Sequence, residues 1–331
     1  PPRLPAGRIR WFTWFVSLPE PLDWLLGRWL HESDGIPEAH TYFSLLTRPL
    51  GMRPVIDHVP IAWSDLDEIE DSFRDIGFDP EYGGVHADGS TEMSTIGFPD
   101  GSYIELIAPT GDGEPGFWPD ALKNDLGPCA WCVEVPSVHS ECQRMIEQDV
   151  AVHGPIQNGR DLADGGRAEW DQAFFGTDDE RNTYPFIISD RTPRDDRISP
   201  DDTLLGGPYS GIGAVIVAVE DLDAAVAEFE RIYRFPSAVY DEAPVFGASL
   251  ATFPGQDLVL AEPHEDSDLA ERLAEHGERP CACLIDASVS EAKNRYDFQA
   301  GHDWFGRRVA FYDDPVLGEW LGIVERNGTW S

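Results

Sequence analysis

Lysine is nearly absent from this 331-residue chain: Lys123 and Lys293 are the only two. Arginine brings the basic total to 24, against 61 acidic residues, and the net charge is −37. A surface of that sign repels phosphates and anionic headgroups, so nucleic acid and acidic membranes are excluded as partners. Cysteine is also scarce. Cys129, Cys132, Cys142, Cys281 and Cys283 do not make a disulfide framework in a chain this long, and with no export signal the thiols are expected to be reduced. The sequon at Asn327-Gly328-Thr329 then carries no meaning. Long apolar runs are missing too. The stretch 11–30 is interrupted by Pro19, Glu20, Pro21 and Asp23, which rules out a membrane span. Arg8 and Arg10 precede it, but no small-residue cleavage pattern follows. There is no His-Glu-x-x-His, nucleophile elbow or phosphate loop, and Gly211-Ile212-Gly213 lacks the third glycine of a dinucleotide site.

What is present is apolar material, 41% hydrophobic and 11% aromatic, enough for about two cored domains. The charge is unevenly placed. Residues 1–51 hold five arginines and five acids, so the whole −37 lies in the remaining residues. That segment also holds four of the eleven tryptophans, and the first methionine is Met52. The expectation is a native start at Met52, with 1–51 a neutral extension that is not native coding sequence; a genuine accessory segment is the alternative. A chain beginning at Met52 is then expected to fold as well as the longer one.

From Met52 onward one grammar repeats. A strand over 55–63 leads through Ser64 or Asp65 into a helix whose apolar residues Leu66, Ile69, Phe73 and Ile76 share a face. Strands over 91–98 and 102–108 follow around Pro99-Asp100-Gly101. A strand over 212–219 and a helix over 220–233 restart the pattern, with Asp221-Leu222-Asp223 matching Asp65-Leu66-Asp67; strands over 247–253 and 257–261 close it. Fainter units begin at Cys129 and Cys281, so four units stand about 70–80 residues apart. The segment 191–210, rich in Pro, Asp, Arg and Gly, reads as a linker between domains at 52–200 and 205–331. One helix and four alternating strands per unit predict an α+β protein with mixed sheets, each with one face left over to form a cup.

These residues resemble the glyoxalase-like domain proteins of the vicinal oxygen chelate superfamily. The resemblance lies in Ile56-Asp57-His58-Val59, Asp65-Leu66-Asp67, Gly83-Gly84-Val85-His86 and the run from Asp100 to Ile107. Further matches are Gly165-Gly166-Arg167-Ala168-Glu169-Trp170 and the run from Tyr184 to Ile188. It is good over 53–200, moderate over 209–262, weak over 280–325 and absent over 1–51. It implies tandem βαβββ modules paired into curved cups, with a divalent metal in one of them. The surplus of carboxylate over lysine resembles proteins of extreme halophiles, which implies a cytoplasmic protein of a salty cell, soluble where salt screens its self-repulsion.

His58 and Glu105 fall at the family's metal positions, and strand parity agrees. Glu105 points away from Ile104 and Leu106, while His58 shares a face with Pro60 and Ala62. Imidazole with carboxylate suits Fe, Mn, Zn, Ni or Co alike. The third module has Ala214 and Val259 at these positions, the second Ala130 and an apolar strand near Ile187, and the fourth Cys281 and Gly322. The remaining ligands must therefore be recruited. His86 is the candidate third ligand or substrate contact, and Glu92 or Glu105 the candidate proton-moving carboxylate. Arg160, Arg167 and Trp170 are candidates for recognising an anionic or aromatic substrate group. Arg181, Arg191, Arg194 and Arg197 read as partners for the abundant carboxylates. Cys129 and Cys132, three apart on one strand, are expected to face opposite sides and not to share an ion. The expected activity is that of a metal-assisted lyase, isomerase or oxygenase acting on a small oxygenated molecule. The alternative is a metal-free binding or sequestration protein. A homodimer is left open.

Overall fold

The computed structural model describes residues 55–111, 115–162, 165–177, 182–325 and Trp330. Residues 1–51, Met52, Arg181 and the sequon lie outside the described residues. Residues 51–331 form one unit. Among the described residues no helix is long and apolar enough to cross a membrane.

The first sheet contains β1 (Val55–Ala62), β2 (Glu81–Val85), β3 (Thr91–Gly97), β4 (Tyr103–Pro109), β5 (Gly127–Pro128), β6 (Cys132–Glu134), β7 (Val152–Asp161), β8 (Arg167–Phe175) and β9 (Phe186–Asp190). Its order is β2-β3-β4-β1-β6-β9-β8-β7, with β5 pairing on β1. The second sheet contains β10 (Tyr209–Ala218), β11 (Val239–Ala243), β12 (Ala248–Thr252), β13 (Leu258–Pro263), β14 (Arg279–Ala287), β15 (His302–Trp304), β16 (Arg307–Phe311) and β17 (Leu321–Glu325). Its order is β11-β12-β13-β10-β14-β17-β16-β15. The two orders have one logic. Within a module the first strand runs parallel to the last, and two modules join through their first strands, β1 antiparallel to β6 and β10 antiparallel to β14. These are βαβββ modules paired into curled mixed sheets.

The helices form where capping and periodicity agree. Asp65 accepts a hydrogen bond from the Glu68 amide at 3.1 Å and starts the helix Leu66–Asp75, whose Leu66, Ile69 and Phe73 are buried. Asp221 does the same for the helix Leu222–Tyr233, which buries Leu222, Val226, Phe229 and Ile232. Both helices pack into one large core with the inward residues of both sheets, among them Val59, Ile61, Ile104 and Leu106. The opposite face of the first sheet carries a smaller apolar cluster of Ala62, Met93, Ile107, Phe174, Phe186 and Ile188. Period-two alternation has therefore sorted β1 and β4 into a helix-facing side and a cup-facing side.

Two expectations need correction. The strand expected from Cys129 begins only at Cys132, because the Cys129 amide and the Trp131 carbonyl bond to Pro60 and Phe186 instead. Cys129 and Cys132 consequently sit in the same small cluster and not on opposite faces. The segment 191–210 is also more than a connector. It contains the short helix Arg194–Arg197, and Arg197 is buried in the first sheet. All five cysteines are buried and free. Burial pushes the Cys281 and Cys283 thiols up to about 12, so they are packed groups and not reactive ones.

Candidate metal centre

In the register of β1 with β4, His58 stands opposite Tyr103 and Pro60 opposite Glu105. His58, Tyr103, Glu105 and Ile107 then share the cup face, joined by Thr91, Met93 and Thr95 of β3. They line a cavity of about 200 Å³. Its far wall comes from the second module. The Phe117 and Phe174 rings stack at 5.4 Å, Phe174 and Phe186 at 5.2 Å, and the Trp118 ring lies 6.1 Å from that of Phe186. Asn158, Arg160, Trp170 and Gln172 complete that side.

Glu105 is buried between two imidazoles. His58 Nε2 lies 3.6 Å from its Oε2, and His86 Nε2 lies 3.5 Å from its Oε1. Both rings are fixed from behind. His58 Nδ1 meets Asp57 Oδ1 at 2.6 Å, and His86 Nδ1 meets Thr91 Oγ1 at 2.8 Å. With Nδ1 as the hydrogen-bonded N–H, the neutral ring turns the lone pair of Nε2 toward Glu105. For His58, whose Nδ1–H is held by the Asp57 carboxylate, that lone pair meets a carboxylate oxygen and is repelled unless a proton or a metal ion lies between. His86, by contrast, can accept at Nδ1 from the Thr91 hydroxyl and donate from Nε2 to Glu105. The donor types N, N and O are those of a divalent transition-metal site, with each imidazole facing its own Glu105 oxygen. Histidines held at Nδ1 by an oxygen are the usual outer arrangement of such a site.

Without metal, Glu105 favours the protonated form of His86. Burial works against its charged form, but the hydrogen bond and charge of Glu105 outweigh burial and raise its pKa above 6.5. For Glu105, burial pushes the pKa up. The His86 hydrogen bond and the charges of His58, His86 and Arg160 prevail, holding it below 4.5. The raised His86 value means that its contribution is complete below about pH 6.5 and is lost as pH rises through the folded pKa. The lowered Glu105 value means the opposite: its contribution is complete above about pH 4.5 and is lost on acidification. In metal-free protein the melting-temperature gap between wild type and His86→Ala should therefore be widest between those two values and should shrink toward alkaline pH. A gap that does not vary with pH would contradict the ion pair.

Asp57 is wholly buried and fully used. Its Oδ1 accepts from His58 and from Arg197 at 2.9 Å, and its Oδ2 accepts from Arg197 at 2.9 Å and Arg194 at 2.6 Å. Burial alone would raise its pKa; the His58 hydrogen bond and the Arg197 charge hold it far below the carboxylate range. Arg197 also bonds Asp190 at 2.6 Å and the Tyr103 hydroxyl at 2.9 Å, and the Tyr103 ring stacks on His58 at 4.5 Å. Asp57, His58 and Cys132 place potential ligand atoms within 4.8 Å of one another. A metal there would have to displace two guanidiniums, and burial pushes the Cys132 thiol well above its ordinary range. The metal-ready side of His58 is the Nε2 side.

The other sequence candidates divide. Trp170 lines the cavity and donates to Gln172 at 3.1 Å, and Arg160 lines it as well. Arg167 does not reach it: it pairs with Asp161 at 2.6 Å on the exposed β7–β8 hairpin. Glu92 also lies outside the cavity lining, because Thr91, Met93 and Thr95 take the cup face of β3; Glu92 accepts from Tyr82 at 3.0 Å. Asp57 and the phenylalanine wall went unassigned in the sequence reading, while Arg197, read there as a partner for a carboxylate, pairs with Asp57 and Asp190. The one signal was an acid placed next to a histidine inside an apolar strand, which demands a buried cation. In the second sheet the equivalent positions, Ala214 and Val259, are fully buried in the apolar core.

Solved structures share this architecture. A hypothetical protein from Staphylococcus aureus superposes with a TM-score of 0.55 at 15% identity, over 82% of this chain and 98% of its own. A triple mutant of 4-hydroxymandelate synthase from Streptomyces coelicolor gives 0.53 at 16%, over 84% and 94%. A fusion protein of a xylose isomerase-like TIM barrel with 4-hydroxyphenylpyruvate dioxygenase gives 0.53 at 14%, over 86% of this chain and 50% of that one. Such likeness establishes the vicinal oxygen chelate fold. No curated protein matches. Residues 56–233, more than half of the chain, match the glyoxalase-like domain, and the protein belongs to that family.

Proposed function

We propose that this protein is a metal-assisted enzyme, a lyase, isomerase or oxygenase, acting on a small oxygenated molecule in the cup of its first sheet. The observation that carries the reading is the buried Glu105 carboxylate between the Nε2 atoms of two histidines whose Nδ1 atoms are already bonded. His58, His86 and Glu105 would hold the ion. When bound, it supplies Lewis acidity toward adjacent substrate oxygens. Around it, Asp57 holds the His58 ring, the aromatic wall excludes water and supports a flat substrate, and the Gln172 amide is placed to meet a substrate oxygen. Among the described residues Glu105 and Asp88 are the carboxylates that line the cavity, and proton movement is assigned to them in this reading. The reading takes the protein to be cytoplasmic and suited to high salt, with 52–200 carrying the site and 205–331 a degenerate supporting half.

The test is metal content. Protein purified in high salt and reloaded with Fe, Mn, Zn, Ni or Co is expected to hold close to one ion per chain. Less than about a tenth of an equivalent after every reloading removes the enzyme reading. A metal-free binding protein is then the better reading. It is favoured by one feature: the three donors come from a single module while the facing side adds no imidazole or carboxylate to the described lining.

A further inference from the structure

Arg160 differs from the other arginines around the cup. Arg167, Arg191, Arg194 and Arg197 each have a carboxylate partner. Arg160, on β7, is held by backbone carbonyls: Nη1 donates to Gly83 at 2.9 Å and Nη2 to Arg197. Among the described residues it has no ion-pair partner, and its buried Nε has no acceptor. Two of its five N–H donors are used. Gly83 makes the room, since a Cβ there would lie 2.7 Å from Nη1. The guanidinium forms part of the wall between the aromatic cavity and a second, polar one of about 240 Å³ that Glu81, Asp161, Asp195 and Asp196 rim. An oriented cation with no described carboxylate in ion-pair contact is therefore presented to the cavity of a protein whose net charge is −37.

The charge of the whole site points the same way. Asp57 and Asp190 cancel Arg194 and Arg197 behind His58. In front, Glu105 and Asp88 offset the two charges of a divalent ion, and Arg160 leaves one positive charge over. A weakly polar, aromatic-walled cavity with that surplus binds an anion far better than a neutral molecule of the same shape.

We infer that the substrate is a small organic carboxylate whose anionic group is recognised by Arg160. The charge count rests on the metal-assisted reading proposed above; the absence of an ion-pair partner for Arg160 among the described residues does not. The test uses the full-length, metal-loaded protein and measures binding of acetate, lactate, benzoate and mandelate, each against its own amide, with metal content determined on the same samples. At least one carboxylate is expected to bind about tenfold or more tightly than its amide. Arg160→Gln should abolish that preference and leave metal content unchanged, and Arg160→Lys should keep part of it. If no carboxylate outbinds its amide in wild type, a comparison that needs no variant to fold, the inference is overturned. A preference that survives Arg160→Gln overturns it as well. Protein that takes up no metal yet still prefers carboxylates through Arg160 defeats the metal reading and leaves this one standing.

Discussion

Replacing His58 or Glu105 by alanine is expected to strip the protein of its metal, from about one ion per chain to below about a tenth. Each supplies one of only three donors, and even the outer partners of metal ligands typically cost about 10–100-fold in affinity when removed, so loss of a ligand itself should cost no less. Glu105→Gln should fall between, because it keeps an oxygen donor and loses the charge. Glu92→Gln and Arg167→Gln serve as controls. Their side chains lie outside the cavity lining, and their metal content should match wild type. Metal-loaded and chelator-treated samples of each variant, compared by elemental analysis and melting curves, separate ligand loss from unfolding. Full retention of metal in both alanine variants would show that the ion, if one binds, sits elsewhere.

The second large effect is expected at Arg197. Its guanidinium grips both oxygens of the wholly buried Asp57 and continues to Asp190. Breaking a buried pair by removing one partner costs about 3–5 kcal/mol, since an uncompensated charge stays behind. Arg194 still holds one Asp57 oxygen, so the lower end applies. At about 2–4 °C per kcal/mol for a unit of this size, Arg197→Ala should lower the melting temperature by roughly 10 °C. Arg197→Lys cannot reproduce the two-pronged grip and should recover only part of it. Arg191→Ala removes a largely exposed pair with Asp171 and should cost no more than about 1 kcal/mol. Arg197→Ala should also weaken metal binding, because His58 loses the brace behind Asp57. Equal melting of the Arg197 and Arg191 variants would show that the buried network contributes nothing beyond surface pairing.

The sequence made some of this legible for definite reasons. Asp65 and Asp221 start helices through local hydrogen bonds, and the 3.6-residue spacing that follows identifies the buried stripe without knowledge of what it packs on. His58 and Glu105 were readable because a strand has only two faces and their neighbours Val59, Ile104 and Leu106 are core residues. Glu92 misled for the converse reason. The run Thr91 to Gly97 has no clear alternation, so its face depends on its register with β4, and there Glu92 pairs with Ala108 while Met93 and Thr95 stand opposite Ile107 and Glu105. Nothing local to residue 92 encodes that register.

Composition, parity and capping thus determined, from the chain alone, a highly acidic α+β protein of strand-and-helix modules, with His58 and Glu105 each on the face of its own strand away from the core residues beside it. Those properties arise within a few residues of one another, and short-range sterics and hydrogen bonds suffice to impose them. The closing of that face into a cavity was decided only by the tertiary structure. Arg197 crosses 140 positions to Asp57, the second module supplies an aromatic wall, and Arg160 has no ion-pair partner among the described residues. Buried charge must be neutralised by whatever the fold brings near, and proximity across that distance is a property of the packed sheets.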